Sequence, residues 1–124
     1  ADVVQEVKVF LLQRVAACEA AGIGRERLLL DPGFGFGKTV EHNLRLLARL
    51  EELAATGLPV VVGLSRKSMI GKLLGLDIAG RLPASIALAV LAVERGARLV
   101  RAHDVAATWQ AVQMQAAVQR VQQR

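Results

Sequence analysis

Three short clusters concentrate the residues able to do chemistry. The first is Asp31-Pro-Gly-Phe-Gly-Phe-Gly-Lys38. Its alternating glycines let a backbone approach a ligand closely and take positive φ. Asp31 can accept hydrogen bonds from a flat, amino-rich heterocycle, and Phe34 and Phe36 can offer apolar faces to a ring. The plainer reading is a tight turn capped by Asp31, against which stands the cost of two phenylalanines on an exposed turn. Gly37-Lys38-Thr39 imitates the end of a phosphate-binding P-loop, but Pro32 occupies the place of its first glycine, so the imitation fails. The second cluster is Ser65-Arg66-Lys67-Ser68, just before an expected helix, where free amides, two cations and two hydroxyls suit a carboxylate or phosphate. A solvated basic turn is its plain alternative. The third is Arg101-Ala102-His103-Asp104. Alternation puts Arg101 and His103 on one side; the planar guanidinium suits phosphate. A lone histidine is more often structural, but beside Arg101 it becomes a candidate phosphate donor.

Each cluster follows a short apolar run: Leu28 to Leu30, Val60 to Leu64, and Leu99-Val100. The centres of these runs, Leu29, Val62 and Val100, lie 33 and 38 residues apart, the pace of repeated strand–helix units with right-handed crossovers. Val60 to Leu64 is apolar without alternation, as in a strand buried on both faces of a parallel sheet. Around the strands the pattern predicts helices. One carries Val3, Val7, Phe10, Leu11, Val15 and Cys18 on a buried stripe, with Asp2 as cap and Gly22 beyond its end. A second starts at Thr39, buries Leu44, Leu47 and Leu50, and stops at Gly57. A short helix reaches Leu74, a loop runs from Gly75 to Leu82, and a helix with Pro83 in its first turn ends at Gly96. The last helix is capped by Asp104 and puts Trp109, Val112 and Ala116 on one side. The fold class is therefore α/β. Ligands bind at the carboxyl ends of parallel strands in such folds, so the three clusters are expected to share one face. If these are the last two strands of a barrel, the second and third clusters occupy its usual phosphate site.

A length of 124 residues suggests one domain, and 53% hydrophobic residues exclude a disordered polar chain, a collagen repeat and a disulfide scaffold. The single cysteine, Cys18, cannot form an internal disulfide, which favours a reducing cytoplasm. The longest nearly pure apolar run, Ala84 to Val93, is too short to span a bilayer, and there is no signal-peptide pattern. Sixteen Lys and Arg against eleven Asp and Glu give a charge of +5. With few aromatics and no basic block, that balance argues for a small phosphorylated ligand rather than nucleic acid. Arg66, Lys67 and Arg101 carry the argument. His42 is expected to face solvent, Trp109 and Met114 to be core or interface, and Cys18 to be packing. A chain that opens on a helix without an initiator methionine is expected to be a piece of a longer protein or a processed one.

In this order and spacing, Asp-Pro-Gly-Phe-Gly-Phe-Gly-Lys, Gly-Leu-Ser-Arg-Lys-Ser and Arg-Ala-His-Asp closely resemble the C-terminal portion of bacterial dihydropteroate synthases of folate biosynthesis. The resemblance implies that residues 1–124 are the C-terminal segment of a pterin-binding (β/α)8 TIM barrel, strands six to eight with their helices. It implies a transferase, the sulfonamide target, that joins p-aminobenzoate to 6-hydroxymethyl-7,8-dihydropterin pyrophosphate, giving dihydropteroate and pyrophosphate. It assigns Asp31 to the pterin edge, Lys67 to the pterin carbonyl, Arg101 to the pterin face and, with His103, to the pyrophosphate. Phe36 would pack on the aminobenzoate ring, Ser68 would receive its carboxylate, and Gly63 and Ala102 would contact substrate. Lys67, Arg101 and His103 are the implied catalytic residues. Magnesium is implied as cofactor, with its ligands among earlier strands and none in this chain. A homodimer through the C-terminal helices is also implied. Two positions depart from the family pattern: Ala102 replaces a larger aliphatic residue, and Pro83-Ala84 stands where a small or polar residue and glycine are usual. Two other readings are a non-catalytic dimerising fragment with open strand edges and a small phosphate-binding α/β module with a closed core. The isolated fragment is expected to be inactive.

Overall fold

The computed structural model of the chain describes residues 2–123. Helix α1 spans Val3–Ala20. Asp2 caps it as expected, its carboxylate accepting from the amides of Val4 and Gln5, and Gly22 beyond its end has φ +94°. Val3 and Val15 of the expected stripe are buried, as is Val4 beside it, but Phe10 is 59% exposed. Leu28 to Leu30 does not become a strand. Only Leu30 pairs, as an isolated parallel bridge to Val60, donating its amide to the Pro59 carbonyl and accepting from Val61.

The glycine-rich loop leads into α2 (Val40–Ala48), and α3 (Glu51–Ala54) follows after a break. Thr39 caps α2 through a capping box with His42, which is exposed. The buried stripe is Leu46, Leu47, Leu50 and Leu53 rather than one including Leu44, which is 38% exposed. Strand β1 (Val60–Gly63) follows, then α4 (Ser68–Leu74). A 3-10 turn at Ile78–Gly80 sits in the expected loop. Helix α5 (Leu82–Glu94) has proline in its first turn. Strand β2 (Ala97–Arg101) and α6 (Val105–Gln122) complete the chain.

The sheet is parallel, with β1 between Leu30 and β2. An irregularity between Val60 and Val61 sets the later register: Val61 opposite Leu99 and Gly63 opposite Arg101. Val60 and Val62 are completely buried under the helical layer, together with Leu30, Leu46, Leu50 and Leu53. Strand alternation turns the opposite set (Leu29, Asp31, Val61, Gly63, Leu99 and Arg101) to the other face. That face has no helical cover, and Leu29 and Leu99 are 50% and 48% exposed.

Gly96 makes the tight turn from α5 into β2. Its φ is +106°, and a Cβ built there would lie 2.6 Å from that of Ala54. Gly96→Ala is therefore expected to destabilise the fold by about 1 kcal/mol or more, read as a lower urea midpoint at unchanged slope. Adding Ala54→Gly should recover only part of the loss, because the backbone strain remains.

Candidate functional site

Parallel pairing brings all three clusters to the carboxyl end of the sheet. A cavity of about 250 Å³ is lined there by Gly63, Ser65, Lys67, Arg101, Ala102 and His103. Asp31 joins it through Arg101, whose Nη1 donates to Asp31 Oδ2 at 2.8 Å. The two residues belong to segments on opposite edges of β1, so the arginine crosses β1. It crosses at Gly63, where a Cβ would lie 2.6 Å from Arg101 Nη2. The missing side chain is the clearance that the crossing needs. The other Asp31 oxygen accepts from the Gly33 amide at 2.9 Å.

The glycine loop is laced from two directions. Lys38 Nζ donates to the carbonyls of Gly33 and Phe36 at 2.8 and 3.1 Å. Asn43, only 2% exposed, accepts from the Gly35 amide and donates to the Thr39 carbonyl. Partial burial draws the Lys38 ammonium below its usual range, opposed by the charge of Asp31. The two phenylalanines part ways. Phe34 is buried in the core and presents no face to a ligand, whereas Phe36 is 68% exposed. The Lys67 ammonium lies 4.7 Å from the Phe36 ring centroid, within cation–π range.

Ser65 Oγ accepts from the His103 amide at 3.1 Å and lies 3.0 Å from His103 Nδ1, which fixes the imidazole at the cavity wall. Ser68 is the exposed first residue of α4, outside the cavity lining. Two expectations are corrected. Asp104 precedes α6 but its side chain caps nothing, and Arg66 is not a free anion donor. They form a fork instead, Nη2 to Oδ1 at 2.8 Å and Nε to Oδ2 at 3.2 Å. Arg66 also has φ +55°, alone among the described non-glycine residues, a conformation that costs about 1–3 kcal/mol. Sequence reasoning counted Ser65 only as a ligand-facing hydroxyl of the second cluster, not as the partner of His103, and assigned no role to Lys38 or Asn43. Asn43 carried a usable signal: it occupies the helical stripe position one turn before Leu46 and Leu47, where a polar residue must find a buried partner.

Residues 1–103 match the pterin binding enzyme family. The chain belongs to that family. It is 51% identical over 113 residues to the dihydropteroate synthase of Escherichia coli K12, covering 91% of this chain and 40% of that protein. It is 42% identical over 118 residues to "Inactive dihydropteroate synthase 2" of Mycobacterium tuberculosis, covering 93% of this chain and 37% of that one. Crystal structures of the Xanthomonas albilineans dihydropteroate synthase, with 7,8-dihydropteroate and with 4-aminobenzoic acid, superpose at a TM-score of 0.93 and 52% identity. They cover 95% of this chain and 45% and 44% of those chains. The chain thus spans about 40% of the length of the Escherichia coli relative. The neighbours are TIM barrels, and the three parallel segments here are an incomplete portion of one.

The Asp31 carboxyl lies below its ordinary value. Partial burial pushes it up, but the Arg101 and Gly33 hydrogen bonds and the charges of Arg101 and Lys67 outweigh that. A lowered folded-state value means the ionised group stabilises the fold above its ordinary pKa. That contribution disappears as pH falls through the lowered value. Below about pH 4, stability should therefore fall more steeply in the parent than in Asp31→Asn, measured by urea melts across a pH series. Coincident slopes would show that the Arg101 pair contributes nothing.

Proposed function

We propose that residues 1–124 are the C-terminal segment of a pterin-binding barrel and supply part of a dihydropteroate synthase site. The reaction condenses 6-hydroxymethyl-7,8-dihydropterin pyrophosphate with p-aminobenzoate. The observation that carries this reading is the gathering of Lys67, Arg101 and His103 around one cavity, with Asp31 held against Arg101. The relatives solved with 7,8-dihydropteroate and 4-aminobenzoic acid support the substrate classes.

In this reading the carboxylate of Asp31 accepts from the amino-rich edge of the pterin, and Lys67 donates to its carbonyl. Arg101 lies over the ring and, with His103, takes the pyrophosphate oxygens. Gly63 and Ala102 form the wall against which the ring sits. Phe36 packs on the aminobenzoate ring, and Ser68, at the start of α4, receives its carboxylate. The carbon–oxygen bond to pyrophosphate breaks first, and the bonding pair leaves with the pyrophosphate. The aminobenzoate nitrogen then forms the new carbon–nitrogen bond and loses a proton. Arg101 and His103 face the charge that grows on the departing oxygen, so they stabilise the transition state more than the ground state. No covalent intermediate on the protein is required.

Among the described residues, no three His, Cys, Asp or Glu side chains gather so as to hold a metal ion. Magnesium enters this reading only through residues of the preceding barrel strands. A second copy of the chain is assigned to α6, where Met114, Val118 and Val121 are 57–67% exposed. The cytoplasm is the assigned compartment; no described helix is long and apolar enough to cross a membrane.

The Mycobacterium tuberculosis relative named inactive favours one second reading, a dimerising segment without catalysis. A chimaera separates the two. This chain replaces the matching segment of the Escherichia coli enzyme in a strain lacking its own synthase. Growth without supplied folate end products, and loss of turnover by about 10²-fold in Arg101→Ala, are expected. A folded chimaera without turnover would overturn the synthase reading. The 124-residue chain alone should show no turnover.

A further inference from the structure

The strained residue of the second loop is clamped from three directions. The Arg66 amide donates to Ser85 Oγ of α5 at 2.9 Å, and Ser85 is 5% exposed. The Arg66 carbonyl accepts from Arg81 Nη1 at 3.1 Å. The guanidinium holds both oxygens of Asp104. A left-handed backbone at a side-chain-bearing residue persists only where its surroundings over-determine it. Here the amide, the carbonyl, Nε and Nη2 of the residue are all engaged, although the sequence leaves Arg66 looking like a ligand-binding cation.

We propose that Arg66 is a positioning residue, and that its ion pair with Asp104 sets the geometry of Ser65, Lys67 and His103 in the cavity. The proposal rests on the synthase reading of that cavity. Arg66 separates Ser65 from Lys67, and both neighbours line the cavity. Its φ of +55° lets one side chain reach His103 and the other lie over Phe36. A turn of this peptide into the right-handed region would rotate one away from the other. Asp104 in turn follows His103 directly, so the same pair joins the loop after β1 to the loop after β2. The planar two-point match explains why an arginine stands here: lysine would keep the charge but lose the fork.

A double-mutant cycle in the chimaera tests this. Arg66→Met and Asp104→Asn should each lower kcat/KM for the pterin pyrophosphate by between about tenfold and a hundredfold. The double variant should be no worse than either single one. Arg66→Lys should restore only part of the loss. If Arg66 instead bound the pyrophosphate itself, Arg66→Met would raise KM while Asp104→Asn left it unchanged, and the proposal would fall. Losses that multiply in the double variant would overturn it equally. Should Arg66→Met not fold, Arg66→Gly, which accepts positive φ without the fork, carries the same expectation. Hydrogen exchange at the Arg66 amide gives a readout independent of turnover: Asp104→Asn should strip its protection. An inactive parent chimaera would defeat the synthase reading, while retained protection in Asp104→Asn would defeat the clamp.

Discussion

Arg101 lies across β1 at Gly63 to reach Asp31, and the rest of the site depends on that crossing. Three conditions must hold together. The flanking segments must both run parallel to β1, or the acid and the arginine would finish at opposite ends of the sheet. The register must put Arg101 opposite Gly63, which it does. The residue crossed must lack a side chain, since a Cβ at Gly63 would meet the guanidinium at 2.6 Å. The shift between Val60 and Val61 is part of the same arrangement. Because side chains alternate along a strand, a one-residue slip of β2 would turn Arg101 onto the helix-covered face.

The large-scale layout was legible because it is written in periodicity and punctuation. Val60 to Leu64 reads as a strand, Thr39 as a cap, and Gly22 and Gly96 as stops, and each does that work in the fold, although β1 ends at Gly63 and is covered by helices on one face rather than on both. The convergence of the three clusters followed from strand direction alone. Illegible features were those decided by contacts distant in sequence. Nothing local distinguishes Phe34 from Phe36, each between two glycines. Only the position of the loop against the leucines of the helical layer sends one inward and leaves the other over Lys67. Asp104 satisfies every local rule for a helix cap, yet Arg66, 38 residues earlier, captures its carboxylate. Charge and planarity make that fork stronger than a single amide contact, and the α6 terminus goes without its side-chain cap. Leu28 to Leu30 has strand composition, but only Leu30 lies beside β1.

The open face accounts for the exposed apolar residues. Leu29 and Leu99 share it with Asp31, Gly63 and Arg101, and in a closed barrel that face is the interior. At the free edge of β2, an apolar cavity of about 280 Å³ is bounded by Leu99, Val105, Trp109 and Val112, among others. The sequence pattern assigned Trp109 to core or interface; at 61% exposed it is not core. A large aromatic beside an unpaired strand edge is apolar surface that these 124 residues leave uncovered. The span of about 40% of the Escherichia coli relative and the open inner face are one fact seen twice.

The ion pair between Arg101 and Asp31 also bears on how such a site meets a ligand. Both side chains are partly exposed, 57% and 40%, and a pair in that setting contributes no more than about 1 kcal/mol. Separating them costs little. Under the proposed function, the pterin edge offers N–H donors to Asp31 and the pyrophosphate offers anionic oxygens to Arg101. The ligand then replaces one shared contact by two charge-assisted ones. A molecule with only the heterocycle leaves Arg101 without its anion. One with only the phosphates leaves Asp31 facing the cavity alone. Each pays the separation and recovers half of the return, so the mutual pairing of acid and arginine discriminates in favour of a ligand that carries both groups at once.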